Sequence, residues 1–549
     1  MSLLSAEFLV FISLLAFFYY GPLRRLQWQL LLIASYAFYF ISGPISIIYL
    51  LITTLTTYFA ANKIDKLNRE FKAFKKENKE ILPRTQIKKK KEQVDNIKKK
   101  HLLFAILINF GMLAIFKYSA YIYSIINSIL LKFNIDGNLT NIIIPNSLSN
   151  IILPLGISFY IFQSIGYVID IYRGKYNSQR NIFKYALFVS YFPQMIQGPI
   201  GRYYKLSEQL YKKHSINYDE IKYGLQLVIW GYFKKILISD KIGVIVNTVF
   251  KDYTFYPGAI VFLSILCYGI QIYTDFSGGI DIVRGISQIF GIKISINFKQ
   301  PFFATSISDF WRRWHITLGT WLKDYLFYPL NLSKPLVKLN KKGRKIFGPE
   351  KGKFLSLCIS TYLIYFIVGI WHGAGFKYIA FGLWNGTIIS LSLLLESNYT
   401  KIKSILRIDD EKLYYRLFMI IRTNILVCIG RFFTRASGFK VAISMIKHTF
   451  LNFNLKSVNI DLFRTFEISQ LNWIIMLVSI FILFYVDFQT ERGINLMKRF
   501  EKRNGFIQFI YILLAVLFIV YFVIYSKGYV STEFIYKQYW GEKWILKNL

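Results

Sequence analysis

The sequence predicts an all-α polytopic membrane protein, and three observations predict it. Of its 549 residues, 54% are hydrophobic and 18% aromatic. Runs without a single Asp, Glu, Lys or Arg recur along the chain, at 354–376, 378–395, 472–486 and 506–526, and a helix needs roughly 20 mostly apolar residues to cross a bilayer. The formal charge of +38 is carried by Lys and Arg clustered between these runs, the pattern of cytoplasmic loops that face anionic headgroups. The lipid bilayer is therefore the partner this charge implies. A nucleic-acid partner is not expected, because no basic, soluble reading motif is present. Cys267, Cys358 and Cys428 lie in apolar segments without ligand or disulfide spacing and read as small buried hydrophobes.

Taken in order, residues 3–22, 27–43 and 45–61 are three candidate spans. The start lacks a basic n-region and a small-residue cleavage site, so the first reads as a retained span and not as a removed signal peptide. Residues 1–62 are set apart as N-terminal spans, and 63–101 as a charged cytoplasmic insert. The insert mixes Lys88-Lys89-Lys90-Lys91 and Lys98-Lys99-Lys100 with Glu70, Glu77, Glu80 and Glu92, as expected of a solvated charged helix or hairpin, or of a docking arm for another protein. Counting back from it puts Arg24 and Arg25 inside and the N-terminus outside. A fourth span at 102–131 leads to a charge-poor segment, 133–148, placed outside. The span at 151–169 returns the chain to the cytoplasm at Asp170 and Arg173.

Residues 183–203 are apolar but punctuated by Pro193, Gly198, Pro199 and Gly201, which predicts a re-entrant element, since broken backbone at membrane depth must be enclosed by protein or a water-filled cavity. Segments 221–250 and 255–275 follow, the first interrupted by Lys234, Lys235 and Lys241 and so read as partly interfacial. A basic loop at 334–353, with Glu350 as its single acid, is expected to be cytoplasmic. From it a span runs outward to His372. Residues 378–395, 413–435, 472–486 and 506–526 complete a set of about eleven to thirteen transmembrane or re-entrant helices, without the internal repeat that transporters often show. Residues 438–549 form C-terminal spans.

Two of the five histidines sit in strongly apolar surroundings, in Trp311-Arg312-Arg313-Trp314-His315 and in Ile370-Trp371-His372-Gly373-Ala374-Gly375. Burying an imidazole costs free energy unless a partner or a task compensates. Trp311, Trp314, His315, Leu318 and Leu322 recur at spacings of three and four, which places them on one face of a helix near the cytoplasmic interface. That face is either an interfacial aromatic belt or part of a site, with Arg312 and Arg313 contacting phosphate or headgroups. His372 follows an uncharged run and is flanked by Gly369, Gly373 and Gly375, which permit close approach of backbone or substrate. Desolvation keeps such an imidazole neutral and able to accept a proton from a hydroxyl; the structural alternative is a core histidine bonded to a carbonyl. A metal site is not expected, since no carboxylate or cysteine stands at ligand spacing.

Asn385, in Gly382-Leu383-Trp384-Asn385-Gly386, can orient an imidazole or an acyl carbonyl, or simply bond between helices. Gln163, Gln194 and Gln197 can line a polar path. Asp275, at the end of the segment 255–275, reads as a cap or as the partner of an arginine. No phosphate-cradling loop, nucleophile elbow or HExxH motif is present.

The stretches Pro154-Leu-Gly-Ile-Ser-Phe-Tyr160, Phe192-Pro193-Gln194 with Gly198-Pro199 and Arg202-Tyr203, Asp275-Phe-Ser-Gly278, Phe310-Trp-Arg-Arg-Trp-His315 with Asp324-Tyr325, and Trp371-His-Gly-Ala374 together resemble the membrane-bound O-acyltransferase family. Within it they are similar to the alginate O-acetylase branch, related to proteins of peptidoglycan O-acetylation and of teichoic acid D-alanylation. Late segments, Phe433-Thr-Arg-Ala-Ser437 and Phe534-Ile-Tyr-Lys-Gln538, share the likeness. The resemblance implies a catalytic core at 102–437, with helices in a ring around a central tunnel that joins a cytoplasmic donor to an extracytoplasmic acceptor. It also implies that His315 and His372 are the essential histidines, His372 foremost, with Trp371 and Trp314 beside them. Asn385 departs from the branch, which often has a histidine there, and the 63–100 insert is longer and more charged than the branch suggests.

The resemblance further implies O-acyl transfer in a bacterial cell membrane, with no bound cofactor and acetyl-CoA as donor substrate. The acceptor is the hydroxyl of an exported cell-wall or exopolysaccharide glycopolymer, reached directly or through an extracytoplasmic acyl-relay or SGNH-type transferase partner. Two other readings stand beside it: D-alanyl transfer to teichoic acid, and a non-enzymatic channel or flippase whose histidines only gate. Against the latter, the spans lack the carboxylate relays of a proton-coupled transporter.

Overall fold

The computed structural model describes residues 3–133, 154, 156–352, 354–524 and 534–535. The segment expected outside at 134–148, the start of the span at 151–169, the end of the run at 506–526 and residues 536–538 of the terminal likeness lie outside these. The described chain is helical, and its one β feature is an isolated antiparallel bridge between Phe298 and Trp314. This is an all-α polytopic membrane protein. Among the described residues six helices are long and apolar enough to cross a bilayer, and the bent pair Phe376–Leu394 and Glu396–Ile405 is a seventh if taken as one span. Ala6–Tyr20, Ile157–Tyr172 and Gly505–Tyr521 are apolar but shorter, so the larger expected number is approached only by including such short membrane elements.

The helices group into two compact units. The first comprises residues 1–225 with 283–295. Its longest members, Ser46–Glu77 and Arg84–Lys132, form a hairpin in which the charged insert is the continuation of two apolar helices. Most of its lysines are exposed, but its base is bonded in: Ser178 donates to Asp65 (3.1 Å) and Lys98 Nζ to Asn68 (3.0 Å). The stretch 183–203 is broken as its prolines and glycines require, into Ile182–Ser190, Phe192–Gln197 and Tyr203–Tyr211. Glutamine side chains satisfy its freed backbone groups. Gln194 donates to the Pro199 carbonyl (3.2 Å), while Gln163 accepts from Gly201 N–H (3.2 Å) and donates to the Phe188 carbonyl (2.5 Å).

The second unit comprises residues 226–282 and 296–539. Here the lysines that interrupt 221–250 are buried within the protein. The helix continues through a π-helical turn, Phe233–Ser239, into Asp240–Lys251. Lys235 lies 2.8 Å from both Asp240 and Asp275, and Lys234 2.7 Å from Asp281. Burying such cations is tolerable only because carboxylates surround them. The helix expected to end near Asp275 runs on, Gly258–Ile289, so Asp275 neither caps a turn nor meets an arginine. It bonds Lys235 and accepts from the Ile535 N–H (2.9 Å). The basic segment read as a loop at 334–353 is helical, Lys334–Gly352, with a kink at Gly348 before Pro349.

Helices Leu355–His372 and Phe376–Leu394 pack as an antiparallel pair. Close approach rests on glycine: a Cβ at Gly369 would collide with the Tyr378 carbonyl, and one at Gly382 with that of Tyr365. The turn between them passes through Gly375 at φ +119°, a conformation L side chains rarely adopt. His372 stands at the end of the first helix, and this pair presents it to the site.

Candidate active site

His315 is not on a continuous helix with Trp311. The chain is helical at Ile307–Arg313, extended at Trp314, left-handed at His315 (φ 46°, ψ 51°), and helical again at Ile316–Leu322. The periodicity is compatible with one helix, but backbone pairing with a remote strand-like stretch overrides it. Lys299 N–H donates to the Arg313 carbonyl (2.9 Å) and Ile316 N–H to the Asn297 carbonyl (3.0 Å). A left-handed non-glycine residue is costly and clusters at functional sites.

The break fixes the ring of His315. Asn297 Oδ1 already accepts from Thr317 N–H (3.0 Å) and Thr317 Oγ1–H (2.8 Å). The Asn297 amide faces the ring, with Nδ2 3.2 Å and Oδ1 3.4 Å from His315 Nδ1, and so holds its orientation. The residue is 4% exposed, its ring edge-on to Phe276 (4.9 Å) and beside Trp371 (6.0 Å). His315 lies between two seven-residue helices, too short to span. Burial foremost, and then the neighbouring His372, lower its pKa to about 3. His372 is half-buried, with its ring 4.9 Å from Trp371 and 5.2 Å from Phe381, edge-on to the latter.

Both histidines line one cavity of about 450 Å³, whose wall is drawn from the second unit and is mostly aromatic and aliphatic. No Asp or Glu is among its described lining residues. Trp314, Trp311, Arg312 and Asn385 line it as well. Trp314 stacks on Phe310 at 5.5 Å. The Trp311 Nε1–H donates to Asn385 Oδ1 (3.0 Å), and Asn385 Nδ2 donates to the Phe381 carbonyl (2.8 Å). The Asn385 amide thus makes the interhelical bond and is not left to orient an imidazole. Trp371 packs on both histidine rings instead of lining the space.

The two adjacent arginines part company. Arg313 bonds Asp309 (3.0 Å) and holds Glu491 through both guanidinium arms (2.7 and 3.1 Å), tying its helix to Gln470–Glu491. Two carboxylates of the chain itself thereby meet its charge. Arg312 is 74% exposed in its side chain and 3.7 Å from Asp309. Gln194 belongs to the first unit, and Asp275 to a buried ion cluster; neither lines the cavity. Two residues escape sequence reading: Asn297, whose only signal is a polar side chain just before Phe298, and Arg431, which reads as one more basic residue at the end of an apolar run.

Residues 177–429 match the model of the membrane-bound O-acyltransferase family. The chain is 35% identical to a probable alginate O-acetylase, AlgI, of Pseudomonas putida over 54% of its own length and 55% of that protein's. It is 31% identical to a peptidoglycan O-acetyltransferase of Helicobacter pylori over 54% of its length and 56% of the relative's. Identity to a teichoic acid D-alanyltransferase of Bacillus subtilis is 26%, over 50% of this chain and 67% of that one. The similarity thus spans a little over half the length of the first two.

Proposed function

For a chain that carries a membrane-bound O-acyltransferase domain over residues 177–429, we propose transfer of an acyl group, acetyl foremost, from a cytoplasmic thioester to a hydroxyl of an exported glycopolymer or of a relay protein that modifies one. The observation that carries this reading is the meeting of His315 and His372 on one acid-free, largely apolar cavity. The acceptor hydroxyl attacks the thioester carbonyl carbon, and His372 takes its proton. The carbonyl electron pair moves onto oxygen; on collapse the C–S bond breaks and the thiolate leaves with the proton from His372. His315, held neutral by burial, aligns the donor. Acetyl-CoA is the proposed donor, the bacterial cytoplasmic membrane the proposed location, and an extracytoplasmic N-terminus the proposed orientation.

Similarity to relatives named for alginate and for peptidoglycan O-acetylation supports acetate and a polysaccharide acceptor. The weaker likeness to teichoic acid D-alanyltransferases supports D-alanine as the second reading. Analysis of ester-linked groups on the wall and capsule polymers of a deletion strain separates the two. Ester acetate lost on deletion, restored by the intact gene and not by His372→Ala at equal membrane level, is the expected result. Undiminished acetate in the His372→Ala strain sinks the assignment, and loss of D-alanine alone moves it to the second reading.

A further inference from the structure

The cavity wall contains a buried cation without a counter-anion among the described residues. Arg431, on helix Leu413–Arg435, is 5% exposed. Its guanidinium lies 5.7–5.9 Å from the ring centroids of Phe302, Phe310 and Trp314. The hydrogen bond its arms make is a weak one, from Nη1 to Cys428 Sγ at 3.7 Å, and Nη2 has no hydrogen-bond partner among the described residues. Backbone packing holds it there: a Cβ at Gly269 would collide with Nη1. Guanidinium groups do not lose their proton in proteins, and a desolvated charge without a partner is destabilising. A site that keeps one therefore expects negative charge to arrive.

Nothing else on the wall is so placed. The Asn385 amide is bonded at both ends, Arg312 is exposed beside Asp309, Lys323 is exposed, and no carboxylate is among the described lining residues. Resting on the acyl-transfer reading above, we infer that Arg431 is the electrophilic group of the reaction, the donor that meets the thioester carbonyl oxygen as it becomes an oxyanion. The negative charge then exists only between attack and collapse. This explains why no carboxylate among the described residues occupies the place, since one would neutralise the guanidinium before the reaction needs it. Aromatic faces hold the group without competing for its N–H donors.

The test uses inverted membrane vesicles from the deletion strain carrying the full-length chain, with their native acceptor, supplied with labelled acetyl-CoA. Removing one oxyanion donor typically costs about 100- to 1,000-fold in rate. Arg431→Gln should lower the maximal rate by that factor and shift the donor KM by less than about threefold, because the oxyanion is absent from the ground state. Arg431→Lys should restore at least about tenfold of the loss. Gly269→Ala, which displaces the guanidinium without changing charge, should reproduce the rate defect. S-ethyl-CoA, which lacks the carbonyl, should bind the variants as it binds the parent. Arg431→Gln retaining a rate within about threefold of the parent, with His372→Ala inactive, overturns this inference and leaves the acyl-transfer reading standing. Weaker S-ethyl-CoA binding by both variants overturns it in favour of a structural role, and a parent chain that transfers no label overturns both.

Discussion

His315 and Asn297 make one device from residues 18 positions apart. Asn297→Leu removes both the amide that faces the ring and the acceptor that holds Thr317, and leaves the imidazole free to turn. Transfer should fall by about 100-fold, the scale of a lost hydrogen-bonding group at the reacting carbonyl, at unchanged membrane level and with Asn297→Gln intermediate; full activity in the leucine variant would remove Asn297 from the site. The same burial has a pH consequence. With a folded pKa of about 3, His315 stays neutral while an unfolded chain's histidine protonates near its ordinary value. The unfolded state then binds more protons, so stability rises with pH between about 3 and 6.5 and is lost as pH falls through that window. His315→Gln should flatten that slope in thermal melts of the detergent-solubilised protein, and an unchanged slope would contradict the burial. His372 is legible in the sequence because glycine and tryptophan crowd it in an otherwise uncharged run. Asn297 is not, since a lone asparagine carries no spacing signal and its meaning comes from a partner brought by folding.

The histidines are delivered by elements whose geometry rests on close packing and a forced break. In the pair Leu355–His372 and Phe376–Leu394, Gly382→Ala would drive a methyl into the Tyr365 carbonyl. Overpacking of this kind costs about 1–3 kcal/mol, and because His372 ends the first helix, transfer should fall along with the melting temperature. Gly111→Ala is the control: nothing lies within 4 Å of its Cβ, and alanine favours a helix by up to about 1 kcal/mol. A Gly382→Ala protein as stable and active as the Gly111→Ala protein would show that the helices do not need the contact. At this scale the spans are legible from hydrophobicity and the broken stretch at 183–203 from its prolines. The break at His315 is not, because helical periodicity there is intact and only pairing with 297–299 defeats it. Lys234 and Lys235 mislead for a related reason, since the carboxylates that make their burial tolerable include Asp275 and Asp281, some 40 residues away.

For the molecule as a whole, charge distribution carries more information than span number. Helix Ser46–Glu77 has 32 residues, roughly 48 Å at about 1.5 Å per residue, against a hydrocarbon core of about 30 Å. Its charged C-terminal half therefore projects beyond the bilayer, and with the start of Arg84–Lys132 it forms an exposed basic hairpin around residues 78–83. Moving such a hairpin across a membrane is unfavourable and retaining it beside anionic lipid is not, so its tip should face the cytoplasm and the turn at Pro44, one crossing earlier, the exterior. Pro44 and Lys79 are both exposed, whereas Cys358 and Cys428 are buried and Cys267 partly so. In a background with those three cysteines replaced, a membrane-impermeant maleimide should label Pro44→Cys in intact cells and Lys79→Cys only in inverted vesicles. The reverse pattern would invert the chain and place the basic clusters outside. A thioester could then no longer be assumed to arrive from the side they mark, and the donor side of the proposed reaction would have to be reassigned while the chemistry inside the cavity stood as argued.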